Sequence, residues 1–369
     1  MTIPSFDDAR AHVEGRLEAE IEARDAAAVA HVGTGREPTV RYLLSVADVP
    51  IEDDGPSRYA VAYDAAAWTV RSSPQSGSHP AITLAESLPH RESATILTPA
   101  DIPHDAALHL ESAGFDLAST AVLERARTTK TTAERDRIER AQAAASAGIR
   151  RAASVLASAT GSDGTLVTGG DNADERTERL TTTRLRRAID EAIVAAGGFP
   201  DANTRIEFGT DDEACRPGEP IVVSVAPHDP EGYYGGLART FVVEGEGGRD
   251  RRAHVGVTHA FRSSRAMLTA DSESVTAVEA DLEAEVRAFG FGEADDVATD
   301  VSGLGLEPRE PPLAGGDVVG PENIVRLEAA ARLEGERWVR VADVLAIDEG
   351  GPEWLEAPSR ALEPAALLE

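Results

Sequence analysis

The sequence predicts a two-domain protein of the α/β (α+β) class, with one domain over residues 1–128 and a second over 129–369. Three observations predict this. A chain of 369 residues is long enough for two domains with a sizeable core. The first third switches repeatedly between helical and strand-like apolar periods. Beyond it the pattern changes to a helix pair, strands, a second helix pair and further strands.

In the first domain, Asp7 to Ala30 reads as helix, and RYLLSV, YAVAYD, AAAWTV and ATILTP read as short strands. ADIPHDAALHLESAGF reads as a helix, with Pro103 suited to its first turn and Gly114 to its C-terminal stop. At the junction, Thr131 and Glu134 have the spacing of a capping box, which opens a long alanine-rich helix to about Ser158. Glycines 161, 164, 169 and 170 then interrupt the chain. A second helix is expected from about Asp174 to Ala196, with Leu185, Ala188, Ile189, Ala192 and Ile193 on one face and Gly197–Gly198 as its stop. Two more helices, about 250–269 and 273–289, lie between a strand hairpin and a glycine loop.

The hairpin and the loop carry a resemblance. RPGEPIVVSVAP followed by GYYGGLARTFVV, then SGLGLEPREPP, IVRLEAA and WVRVADVLAI, is similar in order and spacing to the metal-binding segments of the pita-bread (M24) metallopeptidases. This is the family of Xaa-Pro aminopeptidase, prolidase, methionine aminopeptidase and creatinase. The resemblance implies a creatinase/prolidase-like N-terminal domain and a C-terminal pita-bread domain, with paired helices on a curved antiparallel sheet. The N-terminal match is looser, resting on RYLLSV, the ILTPADIPHDAALHLESAGF segment and RARTTKTTAERDRIERAQ.

The resemblance also maps the family's five metal ligands onto this chain. The first aspartate falls at Ser224, the bridging aspartate at Gly236 and the histidine at Ser302; the two glutamates, fourteen residues apart, fall at Glu328 and Ala342. Arg309 stands where the loop's second histidine would be, followed by a retained Glu310. Four of the five ligands are therefore missing. Two neighbouring divalent ions need bridging and terminal anionic donors to offset their mutual repulsion, and only then does a shared water become a nucleophile. A serine hydroxyl is a poor ligand, glycine and alanine supply none, and Glu328 alone falls short of the three protein ligands usual at a catalytic metal. Asp343, next to Ala342, should point to the opposite face of its strand. No histidine occurs after His259, so the last third contributes no histidine to acid–base chemistry.

The reading that follows is a pseudopeptidase with no cofactor, whose enzymatic status is uncertain and more consistent with none. Its cleft or surface would bind a peptide, a small anionic ligand, or a protein, as a homodimer or as a heterodimer with an active paralogue. Arg309, Glu310, Tyr233 and Arg340 are the candidate cleft-binding residues. Arg309 could hold a carboxylate or phosphate with its planar fork, or simply pair with Glu307 or Glu310. Glu328 could be a ligand, or a relic paired with Arg326 or Arg340. Cys215 reads as a structural thiol. The alternatives are a metal-independent, creatinase-like hydrolase and a residual Xaa-Pro aminopeptidase with a rebuilt site, although creatinase-like chemistry uses a pocket histidine where this loop has Ser302 and Arg309. A further alternative is a peptide-recognition module resembling the peptidase-like domain of a eukaryotic histone chaperone.

Composition bounds the setting. The net charge is −29 and Lys130 is the only lysine. Such an acidic, lysine-poor chain suggests solubility in high salt and a halophilic, haloarchaeal-type origin. It argues against nucleic acid, whose phosphates would be repelled. The single cysteine fits a reducing compartment. The acidic start does not read as a signal peptide, and no segment reaches the eighteen or so apolar residues of a membrane span, so a cytoplasmic protein is expected.

Overall fold

The computed structural model describes residues 7–50, 57–73, 77–89, 94–169, 177–208, 214–348 and 350–369. The chain divides into two compact units, Met1–Ala133 and Glu134–Glu369, five residues beyond the expected boundary.

The first unit runs α1 (Asp7–Ala23), β1 (Ala28–Thr34), α2 (Pro38–Val46), β2 (Arg58–Tyr63), β3 (Trp68–Ser73), α3 (Pro80–Ala85), β4 (Thr95–Thr98), α4 (His104–Ser112), β5 (Asp116–Ser119) and α5 (Val122–Thr128). Its strands form a mixed sheet in the order β3-β2-β1-β4-β5, antiparallel on the β2 side of β1 and parallel through β4 and β5. Two expectations are corrected here. The first helix stops at Ala23, after which Asp25 takes a positive φ of 49° and the apolar run from Ala28 becomes a buried strand. RYLLSV is helical rather than extended, because Pro38 fixes the first turn and Val40, Leu43 and Leu44 then fall on one buried face. The AAAWTV strand starts only at Trp68.

The second unit begins with α6 (Thr132–Ala157), followed by β6 (Thr160–Ser162), β7 (Thr165–Thr168), β8 (Glu178–Arg179), α7 (Thr182–Ala195), β9 (Thr204–Glu207), β10 (Ile221–Val225) and β11 (Leu237–Phe241). Then come α8 (Arg249–Ala270), β12 (Glu273–Ser274), α9 (Val275–Ala288), β13 (Val297–Gly303), β14 (Val318–Val319), β15 (Ile324–Arg332), β16 (Trp338–Asp348), β17 (Gly351–Trp354) and α10 (Pro364–Leu368). The interruption after α6 is a hairpin turning at Asp163–Gly164, both at positive φ; Gly170 lies outside the described residues. α7 starts later than expected, where the Thr181 hydroxyl accepts the Arg184 amide; its expected first residues, 174–176, also lie outside. Gly197 supplies the left-handed stop, at φ 86°.

The main sheet of this unit is antiparallel in the order β13-β15-β16-β11-β10-β9, with β17 on β16. Two helix pairs cover its convex side. α8 and α9 bury Val257, Phe261, Val278 and Leu282 against Val301, Leu327, Val341 and Leu345. α6 and α7 bury Ile149, Leu156, Leu185 and Ile189 against Val223, Leu237 and Phe241. These apolar side chains alternate along every strand with residues that face the other way. A further polar cluster sits on the helix side, where Arg239 and Asp343, at 1% and 2% side-chain exposure, pair at 2.6 Å. Arg239 also donates to the carbonyls of Ala238, Ala342, Pro358 and Ser359, and Arg360 Nε reaches the other oxygen of Asp343 at 2.5 Å. Asp343 is thus fully committed away from the concave face, as its strand position requires. Among the described residues, no helix is long and apolar enough to cross a membrane.

Candidate functional site

The concave face of the main sheet is ordered by its register. One row of paired residues runs straight across it: Asp300, Glu328, Ala342, Ala238, Ser224 and Arg205. Residues two positions along share this face, adding Ser302, Arg326 and Gly236 on one side of the row and Arg340 and Glu207 on the other. The five positions mapped onto metal ligands, Ser224, Gly236, Ser302, Glu328 and Ala342, therefore lie on one face. They adjoin a cleft of about 370 Å³ lined by Asn203, Arg205, Glu207, Ser224, Asp300 and Glu328 with Arg309, Arg326 and Arg340, and closed by Val225, Ala226 and Pro308.

Arg326 takes the centre of this arrangement. A Cβ placed on Gly236 would lie 3.1 Å from Arg326 Cδ and 3.4 Å from its Nε, so the arginine stem occupies the space a side chain at 236 would need. The Gly236 amide is held from behind by Gln142 Oε1 at 2.9 Å. Arg326 Nη2 donates to Glu328 Oε2, and Arg326 Nη1 lies 3.9 Å from Asp300. Arg340 reaches Glu328 at 3.5 Å and Glu207 at 3.6 Å. Arg309 donates to Asp300, on the strand that also carries Ser302. Glu328 is thus paired with both Arg326 and Arg340. The acids and arginines form one alternating lattice, and the lining carries four arginines against three acids. In a chain of net charge −29 this is a locally cationic hollow.

Two hydroxyls in the region make no hydrogen bond: Ser224 Oγ and Ser302 Oγ are buried with no partner among the described residues. Ala342 is fully buried in the middle of its row. Tyr233 and Glu310, both expected to bind in the cleft, do not line it. Tyr233 is buried against α6, its hydroxyl donating to Glu134 at 3.3 Å and its ring lying under Arg137. Its aromatic bulk favours that apolar packing over a polar hollow. Glu310 is buried with its carboxylate pressed against Gly305, whose missing side chain makes the room. His228 and Asp229 stay in the connection between β10 and β11. There Asp229 accepts the amides of Glu231 and Tyr233 and pairs with Arg140 at 3.1 Å, while burial pushes its carboxyl up to about 7. Cys215 is enclosed in the apolar core under α6 and α7, and burial pushes its thiol up to about 11.

Sequence reading missed Asn203, Arg205, Glu207 and Asp300. Strand alternation carries a signal for two of the acids and one arginine: Arg205 and Glu207 are two apart, and Asp300 precedes Ser302 by two.

Solved structures share this fold over nearly the full length of the chain. A Bacillus anthracis Xaa-Pro dipeptidase superimposes with TM-score 0.73 at 14% identity, covering 96% of this chain and 99% of that one. The chain has the pita-bread fold. The dipeptidase PepE of Mycobacterium ulcerans gives TM-score 0.72 at 20% identity, covering 98% of both chains. The N-terminal domain of the FACT complex subunit SPT16 from Cicer arietinum gives 0.70 at 13%, again over 98% of both. No family model and no curated protein sequence matches the chain.

A metal pair, which this pita-bread fold implies, does not suit the residues present. Of the five positions only Glu328 offers a carboxylate, and it is engaged by two guanidinium groups. The carboxylate directly across the strands from Glu328, Asp300, is likewise held between Arg309 and Arg326. Among the described residues, no group of three or more His, Cys, Asp or Glu side chains is placed to hold a metal ion. A cation brought here would meet arginine side chains first, and guanidinium does not give up its proton to become a ligand. The lining offers forked N–H donors, the Ser224 hydroxyl and a short apolar wall.

Proposed function

We propose that this chain is a non-hydrolytic protein of Xaa-Pro peptidase type, a pseudopeptidase whose cleft holds a small anionic molecule or peptide. The observation that carries this reading is Arg326, whose stem lies against Gly236 and whose guanidinium pairs with Glu328. Positive charge that a metal pair would supply in this fold comes instead from the chain itself. The lining offers no histidine to serve as a general base, and Ser224 has no hydrogen-bonded partner to activate it as a nucleophile. A role as a component of an assembly, with an active paralogue as the partner, belongs to the same proposal; the fold's occurrence in a FACT complex subunit, as well as in dipeptidases, is in keeping with the assembly role.

The test is metal content by mass spectrometry on protein purified without chelators, together with an assay on Xaa-Pro dipeptides with added manganese. The expected result is neither stoichiometric metal nor cleavage. One or two ions per chain with cleavage would overturn the proposal.

A further inference from the structure

We infer that the cleft receives the oxyanion group of a small molecule, a carboxylate or a phosphate, gripped by Arg205 and the Ser224 hydroxyl. This deepens the reading above and rests on it, because a metal in the same hollow would change what it attracts.

Two independent observations meet at this point. The first is charge. Arg326 is neutralised by Glu328 and approached by Asp300, Arg340 by Glu328 and Glu207, and Arg309 by Asp300. Arg205 lines the same cleft yet pairs with no acid among the described residues, so the single positive excess of the lining resides on it. The second is an unsatisfied hydroxyl. Ser224 is the direct cross-strand partner of Arg205, and its Oγ is buried without a hydrogen-bond partner among the described residues. Directly paired residues on adjacent antiparallel strands hold their Cβ atoms about 5 Å apart on the same face. A free guanidinium fork and a free hydroxyl therefore stand side by side in a concave, cationic site. A buried polar atom without a partner is unfavourable, and an oxyanion between the two groups would satisfy both.

The surroundings narrow the ligand. One excess charge suits a single anionic group, and Val225, Ala226 and Pro308 offer room for a short apolar body beside it. The strongly acidic remainder of the chain would repel a large polyanion, so a small molecule fits better than an extended one. Arg309, with 57% of its side chain exposed, lines the same cleft beside Asp300.

The experiment is isothermal titration calorimetry of the full chain with N-acetylalanine, inorganic phosphate and, as the uncharged control, N-acetylalanine amide. Saturable binding of an anion but not the amide is expected. Affinity should fall by at least about tenfold in Arg205→Ala and by about threefold or more in Ser224→Ala, the weights of a charge-assisted and a neutral hydrogen bond. Arg205 is exposed on its strand, so its variant should keep the wild-type melting temperature, which separates lost binding from lost fold. Binding of N-acetylalanine alone would identify a carboxylate ligand, and of phosphate alone a phosphate ester. Failure of both anions to bind, equal binding of the amide, or an unchanged affinity in Arg205→Ala would each overturn the inference. A metal-free protein that binds neither anion would remove this inference and leave the pseudopeptidase reading standing. Stoichiometric metal with cleavage would remove that reading itself.

Discussion

At the scale of single residues, the cleft shows a carboxylate held by guanidinium groups from its own strand and from the next one. Glu328 has 16% of its side chain exposed and rests between two arginines. Replacing Arg326 by alanine leaves this carboxylate with only the longer contact from Arg340, and should destabilise the protein by about 2 kcal/mol, less than a fully buried pair would lose. Chemical denaturation reads this directly, and the double change Arg326→Met with Glu328→Met should recover most of the loss; no recovery would mean the two residues are not coupled. Cys215 gives a second expectation. A thiol pushed up to about 11 carries less thiolate at neutral pH than a free cysteine, so iodoacetamide should label it slowly in the folded protein and fast in denaturant. Mass spectrometry of the alkylated chain would show this, and rapid labelling without denaturant would contradict the enclosed position. Much of this scale was legible beforehand. The resemblance to the pita-bread family mapped Ser224, Gly236, Ser302, Glu328 and Ala342 together, and pairing of Glu328 with Arg326 or Arg340 was one of the two readings left open for it. Arg205 and Asp300 were missed: alternation puts them on one face with Glu207 and Ser302, but nothing in their own segments says which strand lies alongside.

At the scale of elements, register decides which side of the sheet a residue serves. Ala342 and Asp343 are neighbours in sequence, yet one faces the cleft row and the other the buried Arg239–Arg360 cluster. Asp343→Ala should therefore leave anion binding intact in whatever protein remains folded, but cost about 3–5 kcal/mol of stability by stranding a buried arginine. Urea denaturation of the purified variant measures it, and a loss below about 1 kcal/mol would show that the cluster tolerates an unpaired guanidinium. The same scale explains the misread element. RYLLSV has the aromatic and β-branched residues of a strand, but Pro38, just upstream, fixes a first helical turn, and burial of one stripe completes the helix. Propensity over six residues was outweighed by a start signal three residues before them. The helices α6, α8 and α9, by contrast, were legible almost to their ends, because long periodic runs with caps leave little choice, whereas α7 was legible at its glycine stop but not at its start.

For the whole molecule, 65 acidic residues face 36 basic ones. Self-repulsion of this size weakens the compact state and is screened by salt. Raising sodium chloride from about 0.1 M to about 2 M, where the Debye length shrinks from about 10 Å to about 2 Å, should increase Tm. A flat or falling Tm in differential scanning calorimetry would argue that the acidic surface is already compensated by local pairs. Sequence was least informative where pairing is non-local: the order of segments indicated the architecture, whereas the row from Asp300 to Arg205 required six residues from six strands to be brought together. Beside that row, two residues from Glu328 on the same strand, stands Arg326. Arg326 is joined to its strand by covalent bonds, so the positive charge at the heart of the cleft can neither dissociate, nor be chelated, nor be exchanged for a different ion. The place of that charge is written into the chain itself, and neither a chelator nor an added ion would move it.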